Sequence, residues 1–331
     1  MGEKSMNGLI NKVSNKETVY KFGSLLGLVI ICVILSVTSP EFLTSRNLMN
    51  VLRQCTINAL IAVGMLLPIL TAGIDLSVGS ILALSTCFTG IALNSWGVNP
   101  LVGILLGLLM GGFLGLLNGL MLTKMHLPHP FISTLGMKNI ARGIALIITA
   151  ASPISGFSNS VQFLGSANLF GMPVSFILVI FVFIIFSIFL NRTAQGKYIY
   201  AVGSNKEAAR LSGINVDKTL VLVYTICGFM AALAGIVLIG RVNSAAPLSG
   251  LDYDLDAIAA CIIGGASFMG GKGNVSGVMI GVLIMAVLRN GLNLLGVSPD
   301  VQNVAVGSVI IIAVFVDVLR ARASKKVKLA S

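Results

Sequence analysis

The sequence predicts an all-α polytopic membrane protein with about ten transmembrane helices, some of them broken or re-entrant. Three observations predict this class. The mean hydropathy is +0.98 and only 10% of the residues are charged, a composition that ordinary soluble domains do not have. Apolar runs of about 20 residues recur along the chain and leave little room for a separate soluble domain. The basic residues are also distributed unevenly between alternate connections, as in membrane proteins with cytoplasmic loops.

Ten apolar stretches are interpreted as membrane spans. Because ten is an even number, both termini lie on one side of the membrane. Placing the termini in the cytoplasm leaves most of the 22 basic residues inside, and only Arg46, Arg53, Arg241 and Arg289 outside. The predicted organisation is a cytoplasmic segment (1–21), a transmembrane domain (22–320) and a cytoplasmic tail (321–331). The predicted spans are 22–38, 57–71, 76–94, 100–122, 130–150, 171–190, 219–240, 255–270, 274–295 and 301–319.

Composition and residue spacing exclude several functional classes. The net charge is +11, but the basic residues are not gathered on one face with interleaved aromatics, so no nucleic-acid partner is expected. The five cysteines lie in or beside apolar runs without disulfide or metal spacing. His126 and His129 have no carboxylate neighbours, so no metal site is expected. No nucleophile–base pair is evident, and the sequence therefore predicts no catalytic residues.

The stretch TAGIDLSVGS, residues 71–80, interrupts two apolar runs and contains Asp75. Gly73 permits a backbone break, and Asp75 ahead of Ser77 suits the N-cap of the next helix. Short polar breaks between spans also line substrate paths in transporters, where an intramembrane carboxylate must be paired or hydrated. Capping alone and capping combined with lining a path both remain open.

Two further patterns concern helix packing in the membrane. The fourth run repeats glycine every four residues, which lets another backbone approach closely and leaves a moving interface as an alternative to static packing. Lys138 and Arg142 share one helical face, so this segment is either partly interfacial or faces a polar interior. The glycines of the repeat are Gly103, Gly107, Gly111, Gly115 and Gly119.

A second glycine-rich break, IIGGASFMGGKGNVSGVMIG, covers residues 262–281 and makes 264–274 a candidate re-entrant segment. Its end resembles a phosphate-binding loop, but Ala266 replaces the first glycine and Gly273 replaces the Ser or Thr that would hold magnesium. The sequence therefore predicts that the chain binds no ATP and no cofactor directly.

The longest predicted cytoplasmic loop, 191–218, contains the sequence GSNKEAARLSGINVDK. The residues from Lys206 to Leu211 favour a short helix, with Ser204 or Asn205 as its cap and Gly213 after its end. Alone, such a helix could be a solvated connector. Because the chain lacks a nucleotide site of its own, the helix is also a candidate docking element for a separate motor.

Four stretches carry a resemblance to a known family: GIDLSVGSILAL (73–84), EAARLSGINV (207–216), LDAIAACIIGGASFMGGKG (255–273) and NGLNLLGVS (290–298). The chain resembles the permease subunits of bacterial ABC importers for monosaccharides, of the branched-chain amino acid/ribose type. The resemblance implies a multi-pass protein of the bacterial inner membrane and a second permease subunit, identical in a homodimer. It also implies a cytoplasmic ABC ATPase that binds ATP and Mg, and an extracytoplasmic sugar-binding protein. Residues that match the EAA-type coupling loop are Glu207, Ala208, Ala209, Arg210 and Gly213.

Polar residues at the external ends of the late spans offer donors and acceptors for sugar hydroxyls. They could equally form a docking rim or cap helices at the interface. The expected function is ATP-driven import of a monosaccharide, ribose or a related aldose such as allose. The alternative is an ion-coupled secondary transporter that uses Asp75 as its proton or sodium site. Candidates for the translocation path are Asp75, Ser77, Asp256, Asn290, Asn293 and Gln302.

Overall fold

The computed structural model describes residues 23–329, with side chains described up to 318. The predicted N-terminal segment 1–21 lies outside the described residues, and the predicted tail 321–331 is described only as backbone to 329. Within this range the chain is helical, with four strands of two residues each. The helices are α1 (Gly23–Thr38), α2 (Ser45–Leu70), α3 (Val78–Asn94), α4 (Pro100–Lys124), α5 (Pro130–Ile148), α6 (Asn159–Ser166), α7 (Val174–Arg192), α8 (Ala194–Ser204), α9 (Lys206–Leu211), α10 (Val216–Val242), α11 (Tyr253–Ile263), α12 (Val275–Leu294) and α13 (Pro299–Leu329).

The strands form two small antiparallel pairs among the connections. Strand β1 (Ile154–Ser155) pairs with β4 (Ser244–Ala245), so the connection after α5 is tied to the connection after α10. Strand β2 (Asn168–Leu169) pairs with β3 (Met172–Pro173) in a hairpin that leads into α7. These strands order the loops at one end of the helical domain.

Seven described helices are long and apolar enough to cross a membrane: α2, α4, α5, α7, α10, α12 and the part of α13 up to Val318. The protein is therefore a multi-pass membrane protein. The predicted count of ten is not confirmed. Helices α1 and α3 are apolar but shorter. Helix α11 has 11 residues and rises only about 17 Å, against a hydrocarbon core of about 30 Å.

The core is centred on α2 and α10, which are mostly buried and pack against each other. Helix α10 also packs along α4, whose glycine repeat faces it. A Cβ at Gly115 would meet the backbone carbonyl of Tyr224, so only glycine permits this approach. The predicted close packing is confirmed, whereas a moving interface stays a prediction.

Helix α2 begins at Ser45, well before the predicted span start at 57. Thr44 caps it by accepting a hydrogen bond from the Asn47 backbone N–H at 3.3 Å. Its first turns carry Arg53, Gln54 and other polar residues that lower the hydropathy. They are helical because several of them face the protein interior instead of lipid, and Asn47 is itself buried.

Both stretches that were expected to be broken are non-helical, over 73–77 and 264–274. They meet in space, because the backbone N–H of Gly271 donates to the carbonyl of Leu70 at 2.8 Å. Asn274 ends the second break and caps α12 by accepting from the Gly277 N–H at 2.7 Å. The two glycine-rich breaks are therefore one contiguous region.

Candidate functional site

A cavity of about 390 Å³ lies between α2, α10, α11, α12 and α13. Its volume is in the range of small-molecule sites, which is roughly 300–1,000 Å³. Most of its lining side chains are polar, although apolar helices surround it. The lining residues are Gln54, Cys55, Ile57, Asn58, Arg241, Leu251, Asp252, Tyr253, Asp256, Met285, Ala286, Arg289, Asn293, Gln302 and Asn303.

An ion pair between Asp256 and Arg289 forms one wall of the cavity. Asp256 lies in the first turn of α11, where the helix dipole favours a carboxylate. Its Oδ1 accepts from Nη2 of Arg289 at 2.7 Å, and the Asp256 side chain is 8% exposed against 30% for Arg289. The Nε of Arg289 is buried and has no hydrogen-bond partner among the described residues. The pair therefore leaves this donor without a partner beside the cavity.

Amide side chains form the other polar contacts of the cavity. Gln302 Nε2 donates to Asn293 Oδ1 at 2.8 Å and to the carbonyl of Val297 at 2.9 Å. The Oδ1 of Asn58 is buried without a hydrogen-bond partner in the part of the chain that the structure describes. Both unpaired atoms, Asn58 Oδ1 and Arg289 Nε, are buried, so the groups that a solute can reach are the other amide, carboxylate and guanidinium atoms of the lining. Those donors and acceptors match the two roles of a hydroxyl group, and the cavity can thus recognise a polyol by hydrogen bonding alone.

The structure brings together three of the predicted path residues, Asp256, Asn293 and Gln302, in this cavity. Asn290 is buried elsewhere and exchanges two amide hydrogen bonds with Asn47, at 3.0 and 2.8 Å. It joins α12 to the start of α2.

Sequence reasoning missed the contribution of α2, because Gln54 was assigned to a connection and Asn58 was not singled out at the start of the predicted span 57–71. Gln54 and Asn58 both line the cavity and are four residues apart on one helical face. That spacing, directly before an apolar run, is the signal that would have found them.

Asp75 and Ser77 lie outside the cavity, in the break between α2 and α3. Asp75 is fully buried, and its Oδ1 accepts from the Ser77 hydroxyl and from the Ser77 backbone N–H at 2.9 Å. The predicted acceptance from a backbone N–H at the start of the next helix is confirmed, but the N-cap residue of α3 is Ser77, two residues after Asp75. The turn at Leu76 and Ser77 delays the helix start, and Asp75 binds this turn instead. Asn118 Nδ2 donates to the Ser77 hydroxyl at 2.8 Å and ties the break to α4.

Lys138 and Arg142 face a polar interior, as one of the two alternatives predicted. Lys138 Nζ lies 2.7 Å from Oδ2 of Asp254, which is almost fully buried. Arg142 donates to the carbonyls of Pro247 and Ser249 in the connection before α11. The pair therefore fixes α5 to the segment that leads into the cavity wall. Among the described residues, no group of three or more His, Cys, Asp or Glu side chains is placed to hold a metal ion.

The predicted short helix of the cytoplasmic loop is confirmed as α9. Asn205 caps it by accepting from the Ala208 backbone N–H at 3.0 Å, and Gly213 follows its end with φ of +81°. Glu207 and Arg210 are exposed and form an ion pair at 3.0 Å, whereas Ala209 is buried. Helix α9 therefore presents a charged, solvent-facing surface. Its coupling role stays a prediction.

Known membrane permeases are similar to this chain along almost its whole length. The family described as branched-chain amino acid transport system / permease component matches residues 47–314. The ribose import permease protein RbsC of Bacillus subtilis (strain 168) is 46% identical over 90% of this chain and 92% of its own length. RbsC of Escherichia coli (strain K12) is 44% identical over 89% and 92%.

The D-allose transport system permease protein AlsC of Escherichia coli (strain K12) is 43% identical over 90% of this chain and 91% of its own length. No solved structure matches the chain significantly. The matched range extends from the start of α2 to within α13 and so includes every wall of the cavity. The chain belongs to the permease-component family of the branched-chain amino acid transport system.

Proposed function

We propose that the chain is the membrane-spanning subunit of an ATP-driven ABC importer that carries a monosaccharide, ribose or a related aldose such as allose. The observation that carries the proposal is the 43–46% identity to ribose and allose permeases over about nine-tenths of the chain. The range that the family model matches, 47–314, contains the breaks, the predicted cytoplasmic loop and the cavity walls. The chain itself performs transport and no chemical reaction.

The chemistry of the cavity supports a sugar as the transported solute. Asp256 and Asn293 offer acceptors, and Arg289 and Gln302 offer donors, within a volume suited to a small ligand. A polyol satisfies such groups without covalent chemistry. Tight binding is unnecessary, because an extracytoplasmic binding protein supplies the capture step. A few hydroxyl contacts are sufficient to admit the sugar into the path.

Among the described residues, no open path continues from the cavity along α2 towards Leu70. Every residue of α2 from Ala59 to Leu70 is buried, and so is Thr71. A solute in the cavity therefore cannot continue along α2 unless the surrounding helices separate. ATP hydrolysis on a partner supplies the free energy for that separation in this proposal.

The partners follow from the same assignment. A cytoplasmic ABC ATPase binds ATP and Mg and docks on α9, where Glu207 and Arg210 are exposed. A second copy of the permease completes the path as a homodimer, and the sugar-binding protein docks on the opposite face. The protein resides in a bacterial inner membrane with both termini in the cytoplasm.

Co-purification from native membranes followed by reconstitution tests the proposal. We expect an ATPase and a sugar-binding protein to co-purify with the chain. Vesicles that contain all three should accumulate radiolabelled ribose or allose only when ATP is hydrolysed. Uphill sugar uptake by the chain alone under a proton or sodium gradient would contradict the proposal and favour the ion-coupled alternative.

A further inference from the structure

Helix α8, which sequence reasoning did not predict, lies directly before the predicted docking helix α9. The two helices are joined by a single residue, since Asn205 is the C-cap of α8 and the N-cap of α9. The two helices also contact each other, so their adjoining ends are held together on either side of Asn205. A displacement of α9 is therefore passed to α8.

The end of α8 next to α9 contacts the end of α2 and the 264–274 break at once. Gly203 fits so closely that a Cβ there would meet the carbonyl oxygen of Leu70, at the end of α2, and the backbone nitrogen of Gly271. Those two atoms are hydrogen-bonded to each other at 2.8 Å. Tyr200, one turn earlier in α8, donates its hydroxyl to the carbonyl of Gly273 at 2.8 Å. Three backbone segments thus meet with no side chain between them.

The segments that meet at Gly203 belong to the helices that form the cavity. Asn58 and Leu70 are twelve residues apart on α2, which corresponds to about 18 Å along the helix. Arg289 lies about 21 Å from Val275, the first residue of α12, and the 264–274 break connects α12 to α11. Helices α2, α11 and α12 also pack against one another. They form one unit, with the cavity at one end and the α8 contact at the other.

We propose that the contact of Gly203 with Leu70 and Gly271 is the joint through which movement of the ATPase-docking helix reaches the cavity. Gly203 is a positioning residue: the absence of a side chain lets α8 contact the backbone at the end of α2 and in the 264–274 break directly. Movement of α9 then shifts the inner ends of α2, α11 and α12 together. This inference rests on the proposed function, because it assigns the route of coupling and not the solute.

The test is Gly203→Ala, with Gly136→Ala as the matched control. Gly136 lies on exposed α5, where an added Cβ meets nothing within 4 Å. Alanine is a better helix former than glycine, so neither change weakens its own helix. In reconstituted vesicles with the ATPase and the binding protein, we expect Gly203→Ala to lower ribose imported per ATP hydrolysed by about three- to thirtyfold, within the range of coupling changes through packed elements. The control should match the wild type.

A second readout is independent of transport. Because the Cβ separates α8 from the breaks, the backbone amide of Gly271 should exchange with deuterium faster in Gly203→Ala than in Gly136→Ala. Tyr200→Phe removes a hydrogen bond without adding volume and replaces Gly203→Ala in the test if that variant does not assemble. It should also lower the amount of ribose imported per ATP hydrolysed, by a smaller factor.

The outcomes separate this inference from the proposed function. If the wild-type complex imports no sugar, the proposed function fails, while amide exchange still reports on the contact. If the wild type imports sugar and the Gly203 and Tyr200 variants keep its ratio of sugar to ATP, the joint is refuted and coupling runs elsewhere. A reduced ratio with unchanged ATP hydrolysis supports it.

Discussion

Asp256→Asn is the most direct test of the cavity, because it removes a charge and keeps the shape of the side chain. Asp256 accepts from Arg289 at 2.7 Å, and a hydrogen bond to a charged group contributes about 1.5–3 kcal/mol. Arg289 keeps 30% exposure and can be partly rehydrated, so the lower end applies. We expect a loss of about 1.5 kcal/mol in the free energy of unfolding.

The effect on transport has the same origin. The variant leaves the guanidinium of Arg289 in the cavity without its counter-ion. The guanidinium then binds water, or it binds the new amide in a different geometry. A rise of about 1.4 kcal/mol in the free-energy barrier to transport lowers the uptake rate per folded molecule about tenfold. Initial rates of ribose uptake in reconstituted vesicles measure this loss, and unfolding in detergent measures the stability. Asp300→Asn, at an exposed aspartate in the first turn of α13, is the control: it should leave uptake unchanged and lower the free energy of unfolding by no more than about 0.3–1 kcal/mol, the helix-dipole contribution of a first-turn carboxylate.

A double-mutant cycle decides whether the two side chains act as a pair. The loss of stability in Asp256→Asn combined with Arg289→Gln should be smaller than the sum of the two single losses, by about 1 kcal/mol or more. Strictly additive losses would show that the contact does not contribute. Uptake by Asp256→Asn equal to that of Asp300→Asn would refute the assignment of the cavity to the sugar path.

Three further changes separate structural from functional roles. Asn290→Ala removes both hydrogen bonds to Asn47 and should lower the free energy of unfolding by about 1–3 kcal/mol. Uptake per folded molecule should stay normal, and a specific uptake defect would show that Asn290 lines the translocation path. Glu207→Gln breaks an exposed ion pair with Arg210 that contributes at most about 1 kcal/mol, so thermal stability should be unchanged. ATP-driven uptake should fall, and unaltered coupling would argue against ATPase docking at α9. Asp75→Asn keeps an acceptor for the Ser77 turn and should impair uptake more than assembly; wild-type uptake would leave local hydrogen bonding as its whole role.

The fold could be predicted where one physical signal dominated. The span predicted as 219–240 is α10, Val216–Val242, because a long apolar run must satisfy its backbone groups within a helix. The prediction failed at α11, where the apolar run to 270 contains a helix that ends at Ile263. Gly265 follows the last turn with φ of +91°, and the Ala266 N–H donates to the Cys261 carbonyl at 2.9 Å, so a left-handed glycine ends that helix. The break at 264–274 was expected from its glycines, but the span bounds followed hydropathy alone.

The candidate site was predictable in part and for a specific reason. Asp256, Asn293 and Gln302 stand out because polar groups beside apolar runs need an interior or interfacial explanation. The same argument selected Asn290, whose partner is another protein amide. Residue type alone cannot distinguish an amide that faces a cavity from one that is paired inside the core, since both are equally unsuited to lipid.

Helix α2 shows how recognition and closure are combined in one element. Its first turns place Gln54 and Asn58 on the cavity, and its later turns are buried without interruption as far as Leu70, at the α8 contact. Hydropathy divides such a helix into a loop and a short span, although its backbone is continuous. A continuous helix is what the coupling route requires, because a break after Asn58 would absorb a movement that begins at Gly203. The polar start and the apolar end of α2 are therefore two parts of one helix that reaches from the proposed α8 joint to the cavity, with Pro68 in its last turn.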